Sequence, residues 1–148
     1  MYWAMGDTKD KSVAKTAATV TSNKLTSADY VHLHNHTQYS LLDGLTKIPE
    51  LIDFTIEEGM QAVAITDHGT LSGAIEFYKA ATDKGVKPII GIETYVAARK
   101  HTDKDAQKDK NRHHLVLLAM NNVGYQNLMK LSTVANLDGF YYFPRIDH

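Results

Sequence analysis

The sequence predicts an α/β chain with about four strands and three helices in the order βαβαββα. Two observations carry that expectation. Apolar runs of strand length alternate with stretches whose apolar residues recur at helical spacing. Residues able to hold a metal also fall at the ends of successive strands, where β/α architectures gather their chemistry.

The first strand is expected at Tyr30–His36, with Val31 and Leu33 alternating against polar neighbours. Side chains two apart on a strand share a face. His34 and His36 therefore project together, their Cα atoms roughly 6.6 Å apart at about 3.3 Å of rise per residue. His32 is expected on that face too, one step deeper. A loop, Thr37–Gly44, follows. A helix is expected over about Ile48–Glu58, because Pro49 suits a first turn, Leu51, Ile52, Phe54 and Ile56 form a stripe, and Gly59 is a stop. Gln61–Thr66 reads as the second strand, and Asp67-His68-Gly69 turns out of it. A second helix, about Leu71–Lys84, places Leu71, Ala74, Ile75, Tyr78 and Ala81 on one face, with Gly85 as its stop.

Lys87–Val96 is the third strand, and its apolar run implies burial on both faces. Lys100 to Arg112 is polar and charge-dense, expected to be a mobile loop. His113–Met120 is the fourth strand and Asn122–Ala135 the third helix. Phe143–His148 offers no obvious closing element. A mainly parallel sheet with right-handed crossovers follows, although the fourth strand can run antiparallel as a hairpin with the third.

The chain's 148 residues fit one domain. Met1 to Ala28, rich in Lys, Thr, Ser and Ala without periodicity, reads as a flexible leader ahead of a domain over 29–148. It lacks Arg and contains Asp7 and Asp10, a poor fit to an organellar transit peptide. The net charge of −1 provides no global basic field for nucleic acid. The absence of cysteine excludes disulfides and thiolate zinc sites. No apolar run reaches the ~18 residues of a membrane span, and no secretory h-region opens the chain. A cytoplasmic location is expected.

Three consecutive strand ends carry His34 and His36, Asp67 and His68, and Glu93. Neutral imidazole is a common ligand for divalent metals. Glu93 interrupts an apolar strand, and a buried carboxylate needs a metal, a cation or a proton. Asp43, seven residues past His36, can complete a metal site; the alternative is Asp-Gly turn chemistry. Gly69 permits a tight turn that aims His68 at the strand ends, while Asp67 can orient a ligand from behind it. His113 and His114 face opposite sides of the sheet, so at most one joins such a site, and periodicity leaves open which. Tyr141, Tyr142 and Phe143 beside Arg145 could stack on bases, but a core or interface aromatic cluster is the favoured reading.

The run Val31–Gly44 resembles the opening motif of the PHP (polymerase and histidinol phosphatase) domain, as do Ala64–Gly69 and Lys87–Glu93. His114–Leu128 and Gly139–Asp147 resemble the form of that domain found at the N-terminus of bacterial replicative DNA polymerase III alpha subunits. The likeness covers about Tyr30 to His148 and leaves out the leader. It implies a distorted (β/α)7 barrel, of which this chain is a truncated part, with up to three metals at its C-terminal mouth. It carries ligand roles onto His34, His36, Asp43, His68, Glu93 and His114, favouring His114 over His113. His and carboxylate donors suit zinc, manganese or iron. The resemblance implies a metal-dependent phosphoesterase, with 3′–5′ exonuclease activity on DNA as its expected form. It also implies a parent DNA-directed DNA polymerase, a nucleotidyltransferase of DNA replication, with DNA and other replicase subunits as partners. The polymerase aspartates and the remaining metal ligands of the family would lie beyond His148. Two alternatives are a stand-alone phosphatase of the histidinol-phosphate type, against which Asn121–Leu128 argues, and a non-catalytic module that metal stabilises or that organises a proofreading subunit.

Overall fold

In the computed structural model of the protein, residues 24–148 are described; the larger part of the expected leader, residues 1–23, lies outside the described residues. Three helices and four strands follow: α1 (Ile48–Glu57), β1 (Ala62–Ile65), α2 (Ala74–Asp83), β2 (Lys87–Ala97), β3 (Arg112–Leu118), α3 (Asn122–Leu137) and β4 (Arg145–Ile146). The mixed α/β class is as expected. Among the described residues, no helix is long and apolar enough to cross a membrane.

The sheet is built on β2. Its first half pairs in parallel with β1, from Ala62 opposite Lys87 to Ile65 opposite Ile90. Further along the same edge His68 bridges Glu93, and β4 then pairs in parallel at Tyr95–Arg145 and Val96–Ile146. The other edge carries β3, antiparallel, from Gly91 opposite Leu118 to Ala97 opposite Arg112. The sheet is therefore mixed rather than mainly parallel. The start of β3 lies beside the late half of β2, which brings His114 to the Glu93 end.

The expected first strand is corrected. Tyr30–His36 is extended but forms no regular ladder. The Ala64 amide donates to the His32 carbonyl at 2.9 Å and the Thr66 amide to the Asn35 carbonyl at 2.8 Å, so two steps along β1 meet three along this segment. Side chains fill the broken rungs: Asn35 N–H donates to Thr66 Oγ1 at 3.0 Å, and Asn35 Nδ2 to the Ala64 carbonyl at 2.9 Å. The same irregularity corrects His32. Its ring turns toward Tyr30 and Phe54, with centroids at 4.8 and 6.4 Å, away from His34 and His36.

The helical faces also differ from expectation. In α1 the buried positions are Ile48, Leu51, Ile52 and Thr55, while Phe54 and Ile56 are exposed. Thr55 tolerates burial because its hydroxyl donates to the Leu51 carbonyl at 2.7 Å. In α2 Ala74, Phe77 and Ala81 face inward, and Ile75 and Tyr78 face solvent. Ile48, Leu51, Ile52, Phe77 and Ala81 pack with Val63, Ile65 and Val86 into one core that fixes β1 and β2 against the two helices. Gly59 and Gly85 end the two helices at positive φ, as expected. α3 is capped by Asn121, whose side chain accepts from the Gly124 amide at 3.0 Å.

β4 was not expected. Two residues are too few to show a period, and the strand exists through tertiary contacts. Ile146 packs with Val96, Ala135 and Leu131. Arg145, 1% exposed, donates to the carbonyls of Gly139, Asp109, His101 and Asp103. The charged loop before β3, expected to be loose, is thereby anchored. Arg99 clamps it further through two hydrogen bonds to Asp109, at 2.8 and 2.6 Å.

Candidate metal centre

Four imidazoles converge on one buried carboxylate. Glu93 projects from the middle of β2, its side chain 4% exposed. His34 Nε2 lies 2.5 Å and His36 Nε2 2.9 Å from Glu93 Oε2. His68 Nδ1 lies 3.8 Å from the same oxygen, and His114 Nδ1 contacts Oε1. Asp43 reaches His68 from the opposite side, with Oδ2 2.6 Å from Nε2. Three overlapping groups result, each with donor atoms within 4.8 Å of one another: His34–His36–Glu93, His36–Asp43–His68 and His68–Glu93–His114.

Each side chain is delivered by its local backbone. His34 and His36 leave the extended segment on one face, with ring centroids 4.9 Å apart. Asp43 rides on a loop closed by a bridge between Thr37 and Thr46 and by the Gln38 amide on the Thr46 carbonyl at 2.9 Å. His68 follows β1 and is aimed by Gly69, which sits at φ 63° and donates its amide to the Glu93 carbonyl at 2.8 Å. A side chain at Gly69 would meet Pro144 at 2.8 Å and Tyr95 at 3.3 Å, so glycine is required there on two grounds. His114 comes from β3, directly opposite Tyr95. His113 does not join the cluster.

Asp67 holds the centre from behind, though not through an imidazole. Its buried carboxylate accepts from the Thr37 amide at 2.6 Å, the Thr37 hydroxyl at 2.8 Å and the Ser40 hydroxyl at 2.7 Å. Ser40 Oγ in turn accepts from the His68 amide at 3.1 Å. The residues beside His36 and the backbone of His68 are thus tied to one anion.

The electrostatics favour lone-pair donors. Burial pushes the His36 imidazole below its ordinary pKa, and His68 beside it pushes further, against the pull of Glu93. For Glu93, burial alone would raise the carboxyl. Hydrogen bonds from His34 and His114 outweigh it, and the net shift is down, toward the carboxylate. The buried His68 Nδ1 has no hydrogen-bond partner. A buried polar atom left alone is costly, and a divalent cation among these nitrogen and oxygen donors would satisfy it. The residues present fit such an ion.

Tyr95 was missed in the sequence. Its ring stacks on His68 at 6.1 Å and meets His114 edge-on at 5.0 Å, walling one side of the cluster. It lies two residues past Glu93 on the same strand, and that spacing is the signal that could have found it. Thr37 and Ser40, also missed, read as ordinary loop residues.

A family model of the PHP domain matches residues 32–148. The chain belongs to the PHP domain family. Its relatives include DNA polymerase III subunit alpha of Aquifex aeolicus, 51% identical over 128 residues, which are 82% of this chain and 11% of that protein. The same subunit of Borreliella burgdorferi is 51% identical over 119 residues, 80% of this chain and 10% of that protein. The PHP chain thus spans about a tenth of the length of the curated relatives it matches. An amidohydrolase structure from Chromobacterium violaceum aligns with a TM-score of 0.48 at 23% identity, covering 70% of this chain and 34% of that one.

Proposed function

We propose that this PHP chain is a portion of a bacterial replicative DNA polymerase III alpha subunit, and that its cluster is a multi-metal phosphoesterase centre acting at the 3′ end of DNA. Polymerisation, and the partnership with DNA and other replicase subunits, are proposed for the longer protein. Identity of about half over 80% of the chain supports the placement. The observation that carries the chemistry is the convergence of His34, His36, His68 and His114 on Glu93, with Asp43 on His68.

His34, His36, Asp43, His68, Glu93 and His114 would hold divalent ions such as zinc, manganese or iron. Bound there, the ions supply a water of lowered pKa and a positive clamp on phosphoryl oxygens. The chain's own residues do the positioning. Glu93 gathers imidazoles from three separate segments, and Asp67 keeps the loop bearing Thr37 and Ser40 in register. His34 and His114 are about half exposed and border the open side of the cluster, where a phosphodiester can approach. Hydrolysis joins a water oxygen to phosphorus, breaks the P–O bond to the neighbouring nucleotide and leaves a proton on the departing oxygen.

The test is release of nucleotides from a 3′-labelled single-stranded oligonucleotide by metal-loaded protein, repeated with chelator and with His36→Ala. Chelator-sensitive cleavage, absent in the variant together with bound metal, is the expected result. Full metal content in His36→Ala would sink the ligand assignment, and metal-loaded protein that cleaves nothing would sink the phosphoesterase reading.

A further inference from the structure

Beside the cluster, across the ring of Tyr95, lies a cavity of about 400 Å³ lined by Ala106, Asp109, Lys110, Arg112, Tyr141, Tyr142, Phe143 and Arg145. That volume is typical of a small-ligand site. It joins three cations to three aromatic rings. Lys110, Arg112 and Arg145 form no ion pair with any carboxylate among the described residues, and Arg145 spends its donors on backbone carbonyls. Asp109 is the one acid in the lining, and both its oxygens already accept from Arg99. The cavity therefore carries uncompensated positive charge in a chain whose net charge is −1.

Arg112 links this cavity to the cluster. It sits two residues before His114 on β3 and so shares its face, with Cα atoms about 6.6 Å apart. Its guanidinium lies 3.6 Å from the Phe143 ring centroid and 5.4 Å from that of Tyr95. Its buried Nε has no hydrogen-bond partner. The Tyr95 ring stands 4.9 Å from Phe143 on one side and 5.0 Å from His114 on the other. One aromatic ring is all that separates the cavity from the candidate metal centre.

Tyr142 supplies the second observation. It is 77% exposed and holds φ at 60°, a left-handed conformation that is uncommon for a bulky residue. Backbone held in that region collects at binding sites. The aromatic run favoured as a core or interface cluster is in fact divided: Phe143 packs under Arg112, while Tyr142 offers a ring to solvent at the mouth of a cationic cavity.

Cations that track phosphates and an exposed ring on which a base can stack are the two parts of a single-strand binding site. We propose that this groove binds single-stranded DNA, holding the nucleotides next to the phosphodiester presented to the cluster, with Lys110 and Arg112 on phosphates and Tyr142 under a base. The assignment rests on the phosphoesterase reading for its direction along the strand, not for the binding itself.

The experiment is fluorescence anisotropy of a fluorescein-labelled oligothymidylate titrated with the full chain, in chelator throughout, at several salt concentrations. Lys110→Gln and Arg112→Gln should each weaken binding and flatten the log–log salt slope by about 0.7. Tyr142→Ala should weaken binding by about five- to a hundredfold with the slope unchanged. Tyr142→Gly, which accepts the positive φ, should behave as Tyr142→Ala does, so a folding defect is not the cause. Lys87→Gln, at the far end of β2, should bind as the parent does. Parent-like binding by the Lys110, Arg112 and Tyr142 variants would overturn the inference. So would polyglutamate binding of equal strength, which would mark a plain cationic patch. Binding without nucleotide release in metal-loaded protein would defeat the phosphoesterase reading and leave the groove standing. Normal release with parent-like binding by the variants would do the reverse.

Discussion

His34 Nε2 and Glu93 Oε2 meet at 2.5 Å although 59 residues separate them in the chain. The contact ties the irregular first segment to the central strand, and three more imidazoles crowd the same carboxylate. A His36 imidazole of lowered pKa beside a carboxylate held in its charged form suits a shared cation, because a buried anion is costly without a compensating charge.

Metal should therefore stabilise the folded chain. At a free concentration of about 100 times Kd, zinc or manganese adds about 2.7 kcal/mol, which for this size raises Tm by about 5–10 °C. Glu93→Gln preserves volume and removes the charge, so metal affinity should fall at least about tenfold and the rise should shrink to about half or less. Differential scanning calorimetry with a competitive chelator titration checks both. An equal metal-induced rise in the variant would remove Glu93 from the site.

The parts of this centre that could be read in the sequence share one property: each candidate stands at the end of a run whose period is visible. His34 and His36 are two apart, His68 follows an apolar run, and Glu93 interrupts one. Asp43 could be read only as a carboxylate seven residues past His36, with Asp-Gly turn chemistry as the alternative; the preference for His114 over His113 rested on family likeness, and the antiparallel register of β3 supplies the reason for it. What could not be read depends on contacts distant in the chain. His32 turns away because side chains of Asn35 and Thr66 replace regular rungs. Ile75 and Tyr78 look like a helical stripe, yet Ala74, Phe77 and Ala81 are the ones that meet the sheet. β4 exists because carbonyls from two loops, the one before β3 and the one after α3, surround Arg145, and no local pattern announces that.

The Asp67 carboxylate bonds to Thr37 and Ser40 and not to the side chain of any candidate ligand, yet it should govern the site. Asp67→Asn replaces one acceptor oxygen with a donor facing Thr37 or Ser40, leaving a buried group mismatched at a cost of about 1–3 kcal/mol. The loop between His36 and Asp43 then loosens, and metal affinity should fall about ten- to a hundredfold. Urea unfolding and metal titration of the same variant measure the two effects. A variant with parent stability and weakened metal binding would place Asp67 nearer the ions than these hydrogen bonds do.

Gly44 is needed for room rather than for φ. A Cβ there would stand 2.0 Å from the Thr37 carbonyl oxygen, a backbone atom that cannot swing aside. Gly44→Ala should force the Thr37–Thr46 loop open, cost about 1–3 kcal/mol and pull Asp43 from His68. The expected signature is a lowered Tm with metal affinity reduced and the His34–His36–Glu93 group still able to bind. Unaltered Tm in Gly44→Ala would show that the loop closes differently.

The loop bordering the cationic groove should respond to acid through Asp109. Hydrogen bonds from Arg99 hold its carboxyl at about 2 against an ordinary 3.8; burial opposes this, and the Asp105 amide adds to it. A carboxyl depressed on folding stabilises the folded state above its unfolded pKa, and that contribution drains away as pH falls through the folded value. The stability gap between the parent chain and Asp109→Asn should therefore be widest above about pH 4 and close as pH approaches 2. Urea midpoints across that range, in chelator so that metal release does not intrude, make the measurement. A gap that stays constant with pH would mean that Arg99 and Asp109 are packed together without a charge-dependent bond. The anchoring of the groove's rim would then rest on Arg145 and its carbonyls alone.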